Sequence, residues 1–348
     1  MGGKHGLQHR LERKRVMPND SRRTWLAFVL ALGLPLVAYS PAHAEECKFV
    51  LLGQLPVTMR GTWPLVHASI NGTDALFLAD SGAPYSILTR AAVERYKLPL
   101  RNAPVWFAQS GIGGEAHTML TVVRTFTIFG QPIPNVDFVV VDQERDWGLA
   151  GLIGQNVFRL GDAEYDLAHR VIRLMRAEGC KNTPLAYWAA AESKPFSVID
   201  IDSTTRFNTH TVGIAHVNGI PIRVVFDTGA ARSLLTLNAA KRAGIMPESA
   251  GVVYAGETYG IGPDAVKSWI APFASFKIGD EEIRNPHLRI GTEKINEDML
   301  LGADFFLSHH IYVATGRRKL YFTYNGGPVF DLNTASVPKP AAASSAAH

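Results

Sequence analysis

Short hydrophobic runs broken by turn residues recur along this chain, and the same succession of runs is written twice. Leu76-Phe77-Leu78-Ala79 leads into Asp80, and Arg223-Val224-Val225-Phe226, a less pure run, leads into Asp227. Nine residues before each Asp stands an Asn-Gly pair, Asn71-Gly72 and Asn218-Gly219. Asn-Gly between β-like runs signals a tight hairpin, because both central turn positions need positive φ. Each Asp is therefore expected to close the second strand of a hairpin at the same register. Past the Asp the chain reads Asp80-Ser81-Gly82-Ala83-Pro84-Tyr85-Ser86-Ile87-Leu88 in the first copy. The second copy reads Asp227-Thr228-Gly229-Ala230-Ala231-Arg232-Ser233-Leu234-Leu235. A strand thus delivers a carboxylate to a tight turn, where Gly permits close backbone approach and a small hydroxyl can bond locally.

The parallel continues. Short helices are expected at Thr89 to Tyr96 and at Thr236 to Ala243, the second stopped by Gly244. Ser110-Gly111-Ile112-Gly113 and Tyr259-Gly260-Ile261-Gly262 read as Gly-rich hairpin tips, with Gly111 31 residues past Asp80 and Gly260 33 past Asp227. Neither is a Gly-x-Gly-x-x-Gly running from a strand into a helix, which argues against a nucleotide loop. Paired β segments are expected at Thr125–Phe129 with Asp137–Val141, and at Ser275–Ile278 with His287–Ile290. Two large aliphatics then run into a Gly that starts a short helix: Gly154 lies 74 residues past Asp80, and Gly302 lies 75 past Asp227. Tyr165-Asp166 with Val171–Leu174, and Tyr312 with Lys319–Phe322, read as closing hairpins. Four features in one order at nearly one set of offsets mark a tandem duplication. The units span 45–176 and 197–325, with a linker of irregular sequence at 177–196 and a disordered Ala/Ser/Pro-rich tail at 326–348.

Composition supports this reading and removes some alternatives. The chain has 348 residues, 47% hydrophobic and 19% charged, with 31 Gly and 20 Pro, which suits turn-rich β units with sizeable cores. The net charge of +4 comes from the first 44 residues, where seven Lys/Arg stand against two acidic residues and leave the remainder at −1. The body carries no basic stretch, so nucleic acid is not an expected partner. Basic residues through Arg22-Arg23, an apolar run Trp25–Val37 and Ala42-His43-Ala44 resemble an export signal with cleavage before Glu45. Ser21-Arg22-Arg23-Thr24-Trp25-Leu26 also resembles a twin-arginine motif, so either the general secretory or the twin-arginine route is open. The expected location is periplasmic; membrane contact is expected only if the segment stays uncleaved as an anchor. Cys47 and Cys180 are the two cysteines, and in an oxidising compartment either a disulfide or two free thiols is open. No metal-ligand spacing stands out, and no metal or cofactor is expected.

Equivalent carboxylates of duplicated units can meet across a pseudo-twofold axis. Two Asp side chains in contact cannot both ionise cheaply and share one proton. The ionised member can take a proton from water while the protonated member polarises a carbonyl, which is peptide hydrolysis by general acid–base catalysis. From about residue 48 to 325 the chain resembles the retropepsin-like and pepsin-like clan of aspartic proteases. The resemblance rests on Asp80-Ser81-Gly82-Ala83, Asp227-Thr228-Gly229-Ala230, the two Gly-rich loops, and the segments ending at Gly154 and Gly302. It implies an all-β fold of two pseudo-twofold-related closed β-barrel lobes with short helices. It further implies that Asp80 and Asp227 are catalytic, and that Ser81 and Thr228 cross-brace the loops. Gly82 and Gly229 would let those loops approach, with Gly154 and Gly302 passing beneath them. Flaps at 111–113 and 259–262 would close over an extended peptide. A single chain supplying both units implies activity as a monomer. The viral Gly-Arg-Asn/Asp appears here as Gly154-Gln155-Asn156 and Gly302-Ala303-Asp304, so the bracing Arg of viral dimers has no counterpart. Two other outcomes remain: a protease-fold peptide-binding or scaffold protein without turnover, and two independent modules.

Overall fold

In the computed structural model the described residues are 46–104, 109–111, 114–116, 118–141, 148–205, 208–258, 265–292 and 295–330. The Asn-Gly turns form as their chemistry requires: Asn71 and Asn218 sit at φ 51°, with Gly72 at 83° and Gly219 at 78°. Each Asn side chain also ties its turn to a neighbouring segment. Asn71 Oδ1 accepts from Thr125 N–H at 3.0 Å, and Asn218 Oδ1 accepts from Ala274 N–H at 2.8 Å.

In the first half Trp63–Ile70 pairs with Thr73–Ala79, which runs parallel to Gly151–Ile153. That strand joins Ile87–Thr89, then Gln131–Val141, then Thr118–Ile128. Thr118–Ile128 returns to Trp63–Ile70 through Ser69↔Thr127 and Ile70↔Phe126, closing the ring. Phe77, Phe126 and Phe138 fill its interior, with Phe126–Phe138 centroids 5.0 Å apart.

The second half repeats the ring with one break. Val212–Val217, Ile220–Phe226, Met299–Leu301, Leu234–Thr236, His287–Gly291 and Val266–Pro272 follow the same order. Where the first half has the long strand Thr118–Ile128, the second has Val266–Pro272 and Ser275–Ile278, interrupted after Pro272. The closing contacts His216↔Lys277 and Val217↔Phe276 match those of the first half. This corrects two expected pairings: in the first half Thr125–Ile128 pairs with Gln131–Pro134 and Asp137–Val141 with Thr118–Val122, and in the second Ser275–Ile278 does not pair with His287–Ile290. Ser275–Ile278 pairs with Glu281–Arg284 across Gly279-Asp280, while His287–Gly291 pairs with Val266–Pro272. Gly279, at φ 55°, supplies the first turn position, and Pro286 separates the two arms. Overall the architecture is the expected mostly-β, two-lobed one.

The closing hairpins merge into one sheet of six strands in the order Lys48–Pro56, Val171–Glu178, Asp162–Asp166, His309–Ala314, Lys319–Tyr324, Ser197–Asp200. The halves meet within it, where Ala163 faces Val313 and Tyr165 faces Ile311. Tyr165 also packs edge-on against Phe306 at 5.3 Å, joining the two cores. The stretch 177–196, expected to be an irregular linker, carries the end of a strand and the helix Tyr187–Glu192. That helix docks on the sheet through its aromatic residues. Trp188 stacks on His310 at 3.8 Å, and the Tyr187 hydroxyl donates to Glu164 Oε2 at 2.8 Å. Glu164 is fully buried, and burial alone would raise its pKa. His310, Tyr187 and Arg173 outweigh that and hold it below the usual range. Cys47 and Cys180 are bonded to each other, tying the start of the first strand to the end of the first half.

Candidate active site

The sequence places Asp80 and Asp227 directly after inner strands, and backbone hydrogen bonds fix both at the same height. Asp80 N–H donates to Ile153 O and Asp227 N–H to Leu301 O, each at 2.9 Å. In both halves the parallel strand pair sets the aliphatic–aliphatic–Gly segment beneath the Asp turn. Gln155 N–H then donates to Ala83 O at 2.9 Å and Ala303 N–H to Ala230 O at 2.8 Å. There is no room for side chains at the crossings. A Cβ on Gly154 would lie 2.7 Å from the Tyr85 backbone, and one on Gly302 would lie 2.6 Å from that of Arg232.

The two loops interlock through hydroxyls. Ser81 N–H donates to Thr228 Oγ1 and Thr228 N–H to Ser81 Oγ, both at 2.9 Å. Ser81 Oγ–H donates to Phe226 O at 2.8 Å and Thr228 Oγ–H to Ala79 O at 2.7 Å. Every donor and acceptor of this buried cluster is satisfied across the junction. The motif glycines touch the opposite carboxylate. A Cβ on Gly82 would fall 2.2 Å from Asp227 Cγ, and one on Gly229 would fall 2.3 Å from Asp80 Cγ. The carboxylates are hydrogen-bonded to each other.

Each Asp is oriented by its own turn. Asp80 Oδ1 accepts from Gly82 N–H at 3.0 Å and Ala83 N–H at 2.9 Å; Asp227 Oδ1 accepts from Gly229 N–H at 2.8 Å and Ala230 N–H at 3.1 Å. Desolvation raises the pKa of Asp80 well above the ordinary carboxylate value, with the Asp227 charge and the shared hydrogen bond adding to it. Desolvation also raises Asp227, but the hydrogen bond from Asp80, the Ala230 and Gly229 amides and the His210 charge oppose the rise. Both carboxylates are thus raised, and the pair holds one proton in common where an isolated carboxylate would be ionised.

Several residues that the sequence names only as motif positions or hairpin residues turn out to support the loops. Ser86 donates to Asn156 Oδ1 from its amide at 2.7 Å and its hydroxyl at 2.8 Å, and its Oγ accepts from Gly154 N–H at 3.0 Å. Ser233, Asp304 and Gly302 repeat this at 2.9, 2.7 and 2.9 Å. The signal was present, since both copies have Ser six residues past the Asp and Asn or Asp two past the motif Gly. Gln155, where viral enzymes carry Arg, donates Nε2–H to Ser81 O at 2.6 Å. Tyr165, wholly buried, shares a hydrogen bond with Ser81. Of the expected flap residues, Gly111 ends the short strand Gln109–Gly111, which pairs with Gly114–Ala116. Ile112, Gly113, Tyr259, Gly260, Ile261 and Gly262 lie outside the described residues.

Twin β lobes with two carboxylates in contact at their junction have the acid-protease type of fold. Family models agree half by half: an aspartyl protease model matches residues 66–157, and a gag-polyprotein putative aspartyl protease model matches 214–308. The chain belongs to the aspartyl proteases, as a tandem of two retropepsin-like units in one polypeptide. Among solved structures, that of Basic 7S globulin from soybean is similar at 9% identity and TM-score 0.42, over 82% of this chain and 99% of that one. EIAV protease complexed with the inhibitor HBY-793 is similar at 26% identity and TM-score 0.25, over 30% of this chain and 92% of that one. No curated protein sequence matches the chain.

Proposed function

We propose that the protein is an aspartic endopeptidase whose one active site is assembled from Asp80 and Asp227. The observation that carries this is the contact of the two carboxylates across loops that brace each other atom for atom. The ionised member of the pair removes a proton from a water seated between them, and the protonated member donates toward the scissile carbonyl. The tetrahedral intermediate then collapses with transfer of a proton to the leaving amine. No metal and no covalent enzyme intermediate enter this scheme. The substrate is an extended peptide held in the cleft between the lobes. Because one chain supplies both Asp turns, the active form is a monomer.

Activity requires one proton on the pair. It falls on the acid side as the pair takes up a second proton and on the alkaline side as it loses the shared one. Both carboxylates are raised, so both limbs lie above those of an exposed carboxylate pair and the optimum is mildly acidic to neutral. Location outside the cytoplasm belongs to the same proposal, supported by the basic–apolar–Ala-x-Ala N-terminal sequence and by the Cys47–Cys180 bond, which suits an oxidising compartment. No helix among the described residues is long and apolar enough to cross a membrane.

The test is digestion of a mixed peptide library by the purified protein, with a statine-type peptide as inhibitor. Cleavage that the inhibitor stops, with a bell-shaped pH profile, is expected. A folded protein that binds the peptides and leaves them intact would replace this reading with a peptide-binding one.

A further inference from the structure

The two halves share a backbone plan, and the side chains beside the two Asp turns differ in a way that bears on substrate choice. In the first half Ala83 follows the motif Gly and packs with the apolar Trp63, Leu78, Ile87, Val139 and Leu152. In the second half Ala230 packs with Val212, Val225 and Leu300. Strand register identifies the counterpart of Val139. Leu88 faces Val140 as Leu235 faces Ile290, so Arg289 takes the place of Val139. Its strand neighbours Leu288 and Ile290 point into the core, which turns Arg289 to the opposite, cleft-side face.

Arg289 is only 9% exposed, and among the described residues no carboxylate forms an ion pair with it, the charge of Asp304 acting on it from further off. Its Nη1–H donates to Ser268 Oγ at 2.7 Å, and Ser268 is fully buried and engaged with Gly256 O. Its Nε has no hydrogen-bond partner among the described residues. Asp304, the acidic group whose charge reaches it, is already occupied by Ser233 and the Phe305 amide. Arg232, on the active-site loop five residues past Asp227, brings a second positive charge to bear on it. A buried guanidinium beside another cation, with an unused donor, is costly until an anion arrives. The fork of an arginine matches a carboxylate.

We propose that Arg289, with Arg232 beside it, forms a carboxylate-selecting subsite in the second half of the cleft, so that the protein prefers substrates with Glu or Asp at the residue seated there. The first half offers an apolar subsite at the equivalent place. The proposal rests on the endopeptidase reading for its setting, and the twin lobes thereby read different side chains on one peptide. Specificity comes from the second half both by attraction of an acid and by the cost of covering an unpaired cation with a neutral residue.

The test uses peptides around a scissile bond found in the library, in pairs that differ only by Glu for Gln at successive positions. At one position the wild-type protein should favour Glu about 10–100-fold in kcat/KM, the range for a buried charge-assisted hydrogen bond. Arg289→Met should bring that ratio to about one, and Arg232→Gln should lower it part way. A merely structural Arg289 would change stability and leave the ratio intact. Absence of a Glu preference at every position in the wild type overturns the proposal without any variant, as does its persistence in Arg289→Met. If the wild type cleaves no peptide, the endopeptidase reading fails separately. The same Glu and Gln peptides, labelled and followed by fluorescence anisotropy, then decide the subsite: tighter Glu binding supports it and equal binding overturns it.

Discussion

Replacing Thr228 by Val removes one oxygen atom from the centre of the molecule while keeping the branched shape. Thr228 is fully buried, and its hydroxyl accepts from Ser81 N–H across the junction and donates to Ala79 O. Loss of two hydrogen bonds costs about 1 kcal/mol each in net terms, and an orphaned buried amide or carbonyl costs about 1–3 kcal/mol. The reciprocal bonds through Ser81 Oγ survive, so the junction loosens without separating. The expected destabilisation is about 2–5 kcal/mol. Thr228→Ser retains the hydroxyl and should stay within about 1 kcal/mol of the wild type. Activity should fall more steeply than stability, because the same bonds set the separation of Asp80 and Asp227, and a shift of about 1 Å in such a site can cost roughly a hundredfold. Urea unfolding followed by far-UV circular dichroism, alongside kcat/KM on one peptide, gives both numbers. A Thr228→Val protein within about 0.5 kcal/mol of the wild type would refute the claim that this brace holds the halves together.

Asp304→Asn should be tolerated to within about 1 kcal/mol, because Asn156 accepts the equivalent pair of bonds in the first half, whereas Asp304→Leu should cost about 3 kcal/mol or more; thermal unfolding of both variants checks this. Reducing Cys47–Cys180, which closes a separation of 133 residues, should cost about 2–5 kcal/mol, seen as a lower unfolding midpoint with reductant present. Asp80→Asn should stabilise the fold at neutral pH. The raised carboxyl favours folding fully below the unfolded-state carboxylate pKa, and that contribution is lost as pH rises through the higher folded-state value. The variant's advantage in unfolding midpoint should therefore shrink on acidification, and an advantage independent of pH would argue against the shared proton.

What could be read from the chain followed what the duplication repeated. The Asn-Gly turns, Asp-Ser/Thr-Gly loops and aliphatic–aliphatic–Gly segments each carry a local backbone requirement, and writing them twice removed chance. Features created by tertiary partners were harder to see. Thr125–Ile128 and Ser275–Ile278 pair with nearer strands than the pattern suggests, because Phe129-Gly130 and Gly279-Asp280 are themselves hairpin turns. The helix Tyr187–Glu192 has no side-chain cap and is too short to stand alone; it exists because Tyr187 and Trp188 find Glu164 and His310 on the sheet. The pairing of one half's closing hairpin with the other's leaves no mark in either repeat. Arg289 reads as an ordinary exposed strand residue until its register places it opposite Val139 of the other half.

The central claim is that Asp80 and Asp227 form one dyad within one chain. Asp80→Asn and Asp227→Asn proteins, each checked for folding, are assayed on the best library peptide from about pH 3 to about pH 8, singly and as a mixture. The account predicts that each variant loses peptidase activity at every pH and that mixing restores none. Activity surviving in either variant, or returning in the mixture, would contradict it.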